Sequence, residues 1–123
     1  MLTAVSKQHD DRRGVPLRVL IADDDDDHRF LLGSYLGDHG MEISQATTGA
    51  ETRAVVTLVD PHVVLLDWGM PGGGLELVRE LIAEHDLADR IIMVSDMDDI
   101  RDRRAARTAG IAKYFLKPPD LDQ

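Results

Sequence analysis

Cysteine is absent from the 123-residue chain. Disulfides, thiolate metal sites and cysteine nucleophiles are therefore excluded, and the absence is consistent with the cytoplasm. No apolar run approaches the roughly 20 residues that a bilayer-spanning helix needs. Residues 1–13 hold no apolar block of signal-peptide length. Positive charge is also scarce: 14 Lys and Arg stand against 23 Asp and Glu, a formal net charge of −9. A surface of that sign does not hold nucleic-acid phosphates unaided, whereas a basic partner or a cation suits it. What is present is enough hydrocarbon for one packed core, 43% apolar residues in a chain of single-domain length.

Residues 1–16 are polar and read as a flexible N-terminal tail. The run Arg18-Val19-Leu20-Ile21-Ala22 is short, apolar and β-branched, the pattern of a buried strand, and it stops at five aspartates, Asp23 to Asp27. A helix fits residues 27–39, with Phe30, Leu31, Tyr35 and Leu36 as its apolar stripe and Gly40 as its stop. Residues 41–46 suit a second strand. Thr48 suits a helix cap, and Ala50, Ala54, Val55 and Leu58 then share a face. After Pro61, residues 62–66 give the strongest strand signal and end at Asp67. The loop Met70-Pro71-Gly72-Gly73-Gly74 follows. Helical periodicity returns through Leu77, Val78, Leu81 and Ile82, and a strand over 91–94 ends at Ser95. An arginine-rich helix over 98–109 and a last strand over 111–116, ending at Lys117, complete the pattern. Strands and helices alternate, which predicts an α/β domain with a parallel sheet and helices on both faces.

In such a sheet the strand ends share one edge, where ligands bind. Asp23, Asp24, Asp67, Ser95 and Lys117 therefore converge. Carboxylates this close must take up protons or bind a cation. An all-oxygen set without cysteine or a histidine pattern favours Mg2+ or a relative such as Mn2+ over zinc. A lysine and a hydroxyl beside them suit the oxygens of a phosphoryl group. An EF-hand calcium loop fails, because His28 and Ser34 stand where its glycine and glutamate belong. Taken alone, Ser95 also reads as a helix cap, Tyr114 as strand packing, and Arg101, Arg103, Arg104 and Arg107 as a solvated helix face or a partner surface. Asp25 to Asp27 read as the acidic start of a helix.

Four segments resemble, in order, the signatures of response-regulator receiver domains of the chemotaxis-regulator type. They are Val19-Leu20-Ile21-Ala22-Asp23-Asp24-Asp25, Leu65-Leu66-Asp67-Trp68-Gly69-Met70-Pro71, Val94-Ser95 and Tyr114-Phe115-Leu116-Lys117-Pro118. The resemblance implies a receiver domain over residues 17–119, doubly wound and flavodoxin-like, with five strands ordered 2-1-3-4-5. It implies Asp67 as phosphoryl acceptor. Asp23, Asp24, Asp67 and the Gly69 carbonyl would be the metal set, Ser95 and Lys117 would hold phosphoryl oxygens, and Ser95 and Tyr114 would form the switch. A cis Lys117–Pro118 bond, a histidine kinase or phosphotransfer protein as donor, and self-catalysed phosphorylation and dephosphorylation are implied with it. The fourth helix and last strand are the surface such a domain offers to a second copy.

Four departures stand out. Asp96 adds a negative charge where a small residue is usual and would modulate the site. The loop after Pro71 is about one residue short. Asp26 replaces the usual proline or serine. Residues 120–123 supply only the start of a last helix, which is missing or truncated. Asp96 and the short loop keep a second reading open, a degenerate receiver that binds partners without phosphorylation. An aspartate-nucleophile phosphatase is disfavoured, since Gly69 stands where its second aspartate belongs.

Overall fold

The computed structural model describes residues 15–95, 100–111 and 113–117. Expectations for residues 1–14, for Asp96, for the Lys117–Pro118 bond and for the last-helix segment 120–123 lie outside the described residues.

The elements are β1 (Arg18–Ala22), α1 (Asp26–Asp38), β2 (Glu42–Ala46), α2 (Gly49–Val59), β3 (Val63–Asp67), α3 (Leu75–His85), β4 (Ile91–Ser95), α4 (Ile100–Thr108) and β5 (Lys113–Leu116). A 3-10 turn over Ala88–Arg90, absent from the sequence reading, leads into β4. The five strands form one parallel sheet in the order β2-β1-β3-β4-β5, the expected one. No helix among the described residues is long and apolar enough to cross a membrane.

Side chains alternate across the pleat. Leu20, Val64, Leu66 and Met93 pack toward α2, α3 and α4, where Val56, Leu77, Val78, Leu81 and Ala106 complete a core. Val19, Ile21, Leu65 and Ile92 point to the other face, where α1 contributes Leu36.

The starts of α1 and α2 are capped by side chains. Asp25 caps α1, its carboxylate accepting from the N–H groups of Asp27 (3.0 Å) and His28 (3.2 Å). Asp26 and Asp27 lie in the first turn, where the helix dipole favours negative charge. Thr48 caps α2 through the Glu51 N–H (3.1 Å), and Glu51 reaches back to the Thr47 N–H (2.7 Å). Asp60 and Asp86 close α2 and α3 in left-handed conformations, φ 49° and 55°.

Two helix faces differ from expectation. In α1, Phe30 (70% exposed), Leu31 and Tyr35 point outward. The inward stripe is His28, Leu32 and Leu36, four residues apart, so only Leu36 of the expected stripe is buried. Gly33 lies on the same side, where an added Cβ would sit 3.7 Å from Ile43, in ordinary van der Waals contact. In α2 the buried residues are Gly49, Thr52 and Val56, and Leu58 is 83% exposed. The physical reason is a close approach. A Cβ at Gly49 would lie 2.0 Å from the Gly72 carbonyl oxygen, so α2 presents its smallest residue to the loop that follows β3. The Gly49 N–H donates to the Pro71 carbonyl (2.8 Å) and ties that loop in place.

Candidate functional site at the strand ends

Each apolar strand hands over to a polar residue at the same edge of the sheet. Asp23 follows β1, Asp67 closes β3, Ser95 closes β4 and Lys117 follows β5. All four are largely buried: Asp23, Asp67 and Ser95 by whole-residue exposure, Lys117 by its side chain at 8%. Main-chain pairing fixes the arrangement. The Asp23 N–H donates to the Ala46 carbonyl (2.9 Å), and the Lys117 N–H donates to the Ser95 carbonyl (2.7 Å).

The carboxylate oxygens of Asp23, Asp24 and Asp67 come within 4.8 Å of one another, with Asp24 on the exposed rim. The Lys117 ammonium reaches Asp23 at 3.0 and 3.2 Å and Asp67 at 3.5 Å. The Gly69 N–H donates to Asp67 Oδ1 (3.1 Å), which bends the chain around that carboxylate. Thus Asp23, Asp24, Asp67, Gly69 and Lys117 are brought together as expected, and Ser95 lies at the adjoining strand end.

The two buried aspartates differ in character. Burial alone would raise Asp23. Hydrogen bonds from the Asp25 N–H, from Lys117 and from His28 outweigh it and hold the carboxyl below its ordinary value. For Asp67, burial and then the negative charge of Asp23 dominate. The Gly69 N–H and Lys117 offset them only in part, and the carboxyl is pushed up to about 6. One carboxylate is well supplied with donors and its neighbour is short of positive charge.

Two residues at the site escaped the sequence reading. His28 is buried, with Nδ1 2.5 Å from Asp23 Oδ2. Arg29 donates to the Asp23 carbonyl (2.8 Å) and to Gln45 Oε1 (3.1 Å), and it pairs with Asp26, joining α1 to the ends of β1 and β2. A signal for His28 existed: residues 28, 32 and 36 fall on one helical face, and two of them are leucine. Farther along the edge, Tyr114 is half-buried, and the Arg103 guanidinium carbon lies 5.2 Å from the centre of its ring, a cation–π contact.

The chain matches known proteins over this whole architecture. The family model of the response regulator receiver domain matches residues 19–123. Sporulation initiation phosphotransferase F of Bacillus subtilis is 28% identical over 86% of this chain and 86% of that protein. Transcriptional regulatory protein TrcR of Mycobacterium tuberculosis is 32% identical over 89% of this chain, which spans 43% of that protein's length. The BeF3-activated N-terminal receiver domain of Klebsiella pneumoniae RstA superposes with a TM-score of 0.74 at 26% identity, covering 85% of this chain and 90% of that one. Fold, strand-end chemistry and these matches agree, and the chain belongs to the response regulator receiver domain family of two-component signalling.

Proposed function

We propose that this chain is a phospho-acceptor switch in which Asp67 takes a phosphoryl group from the phosphohistidine of a histidine kinase or phosphotransfer protein. Phosphorylation and magnesium dependence are general for the family. The observation that carries the assignment to Asp67 is its position: buried at the end of β3, with two further carboxylates within 4.8 Å and an ammonium at 3.5 Å.

The donor set fits a hard dication. It offers carboxylate oxygens from three residues, and the raised Asp67 carboxyl marks a deficit of positive charge that such an ion would relieve. Asp23, Asp24, Asp67 and the Gly69 carbonyl would hold Mg2+, or Mn2+ in its place. Bound there, the ion would supply charge neutralisation for the phosphoryl oxygens.

The chain's own groups supply the rest. An Asp67 carboxylate oxygen forms the new bond to phosphorus while the phosphorus–nitrogen bond of the donor breaks and the imidazole leaves with a proton. Lys117 already bridges Asp23 and Asp67, so a short movement carries its ammonium onto a phosphoryl oxygen. The Ser95 hydroxyl is the second donor, and with Tyr114 it forms the switch that reports occupancy to the β5 side. There α4 presents exposed Arg101, Arg103, Arg104 and Arg107, and Leu116 is exposed at the end of β5, the surface assigned to a second copy. Asp96 modulates the site. A unit charge about 6 Å from the phosphoryl group would cost roughly 3 kcal/mol at an effective dielectric near 20, so Asp96→Ala is expected to raise phosphoryl occupancy.

Acetyl phosphate with Mg2+, followed by intact-mass and peptide mass spectrometry, tests the assignment. One hydroxylamine-sensitive phosphoryl group is expected on Asp67 and none on the Asp67→Asn variant. Equal labelling of that variant would place the acceptor elsewhere. No labelling of the wild type by acetyl phosphate or by a phosphorylated donor would favour the phosphorylation-independent interaction module.

A further inference from the structure

His28 occupies the first turn of α1 and is 4% exposed. An ionised carboxylate only accepts hydrogen bonds, so the Nδ1 facing Asp23 Oδ2 carries the hydrogen and donates it. The second fixed donor to Asp23 is the Asp25 N–H, which reaches Oδ1 at 3.0 Å. Each oxygen of this carboxylate thus has one donor anchored to the start of α1. Lys117 also touches both oxygens, but it sits on a long flexible stem and is shared with Asp67.

The terminal torsion of an aspartate is broad, so a carboxylate held at one oxygen alone can still swing. Held at both, its plane is fixed, and the remaining lone pairs point where the backbone sets them. The bond also fixes which imidazole nitrogen carries hydrogen. The rest of the inward stripe of α1 is leucine, Leu32 and Leu36, so hydrophobic packing alone gives no reason for an imidazole here.

We infer that His28 is a positioning residue of the cation site: it locks the Asp23 carboxylate in the orientation that serves the divalent ion, and keeps it there when Lys117 turns to the phosphoryl group. The inference rests on the metal-dependent reading proposed above. Partners that orient ligating groups in this way typically contribute about 10–100-fold to metal affinity.

Mn2+ affinity, read from the electron paramagnetic resonance of the free ion, tests it without any phosphorylation. His28→Leu is expected to weaken Mn2+ binding by about tenfold or more. His28→Asn places an amide N–H close to the position of Nδ1 and should recover most of the loss. In an Asp23→Asn background, where the carboxylate is gone, His28→Leu should have almost no further effect. Wild-type affinity in a cooperatively melting His28→Leu protein would overturn the inference, as would an equal loss in both backgrounds. If His28→Leu does not fold, His28→Gln replaces it, since its donor is displaced by one methylene. Gln should bind Mn2+ more weakly than Asn, and equal affinities would overturn the proposal. A wild type that does not bind Mn2+ would overturn the metal-dependent reading itself, and this inference with it.

Discussion

On one face of the sheet, α2, α3 and α4 enclose a continuous hydrocarbon core with Leu20, Leu66 and Met93 fully buried at its centre. On the other, among the described residues, α1 is the covering helix, and its inward stripe begins with an imidazole rather than a hydrocarbon. The same face runs on past α1 to Phe115, which pairs in register with Val94 and is 48% exposed. The contrast separates two tasks. The three-helix face holds the fold, and the α1 face holds Asp23 in place. The acidic cluster forms where the strands that serve both faces end.

The comparison predicts unequal costs. Leu66→Ala, in the centre of the three-helix core, is expected to lower stability by about 2–5 kcal/mol, measured by urea unfolding. Leu36→Ala, under α1, should fall at the low end of that range, because a single helix can settle onto the space left behind. Equal losses would mean that the two faces share the load, and the division of tasks would fail.

The next effect belongs to the site. The folded chain keeps a proton on Asp67 that the unfolded chain has already released. Stability of the metal-free protein should therefore fall as pH rises from about 3.8 to about 6 and level off above. Asp23, held low, works in the opposite sense, and its contribution is lost as pH drops below its ordinary value of 3.8. The rise of Asp67 to about 6 corresponds to roughly 3 kcal/mol, so Asp67→Asn should stabilise the metal-free protein by up to that amount at pH 7. A variant no more stable than wild type, with the same pH profile, would show that the carboxylates are not crowded in solution.

The smallest effects are expected where the sequence is most misleading. Phe30→Ser on the outer side of α1 should change stability by no more than about 0.5 kcal/mol. Phe115→Ser should cost less than about 1 kcal/mol, because half of that ring is already in water. A large loss at Phe30 in thermal melts would restore the hydropathy-based face of α1.

The order of elements and the meeting of the strand ends were legible because four strands change abruptly from hydrocarbon to a polar residue: Ala22 to Asp23, Leu66 to Asp67, Val94 to Ser95 and Leu116 to Lys117. In a parallel sheet these junctions must meet, so one-dimensional spacing was enough. Asp25 was likewise legible as the start of a helix, since few residue types cap one. The face of α3 was legible too, through Leu77, Val78 and Leu81, but the faces of α1 and α2 were not. Hydropathy points to Phe30, Tyr35 and Leu58, but α1 turns His28, Leu32 and Leu36 inward, and α2 meets the loop after β3 at Gly49, where even a Cβ would collide. His28 was hidden for a related reason: it lies off the stripe that hydropathy selects in α1, and only the observed face sets it beside Leu32 and Leu36 and against Asp23.

The central claim is that Asp23, Asp24 and Asp67 form one crowded acidic site that a divalent cation relieves. Thermal melts at pH 7.5 with and without Mg2+ test it most directly, using wild type, Asp24→Ala and Asp67→Asn. At a Mg2+ concentration a hundredfold above its dissociation constant, the wild type should gain about 2.7 kcal/mol. Both variants should lose most of that gain, although Asp67→Asn starts from a more stable metal-free state. A wild-type melt indifferent to Mg2+, or variants that respond as the wild type does, would contradict the claim.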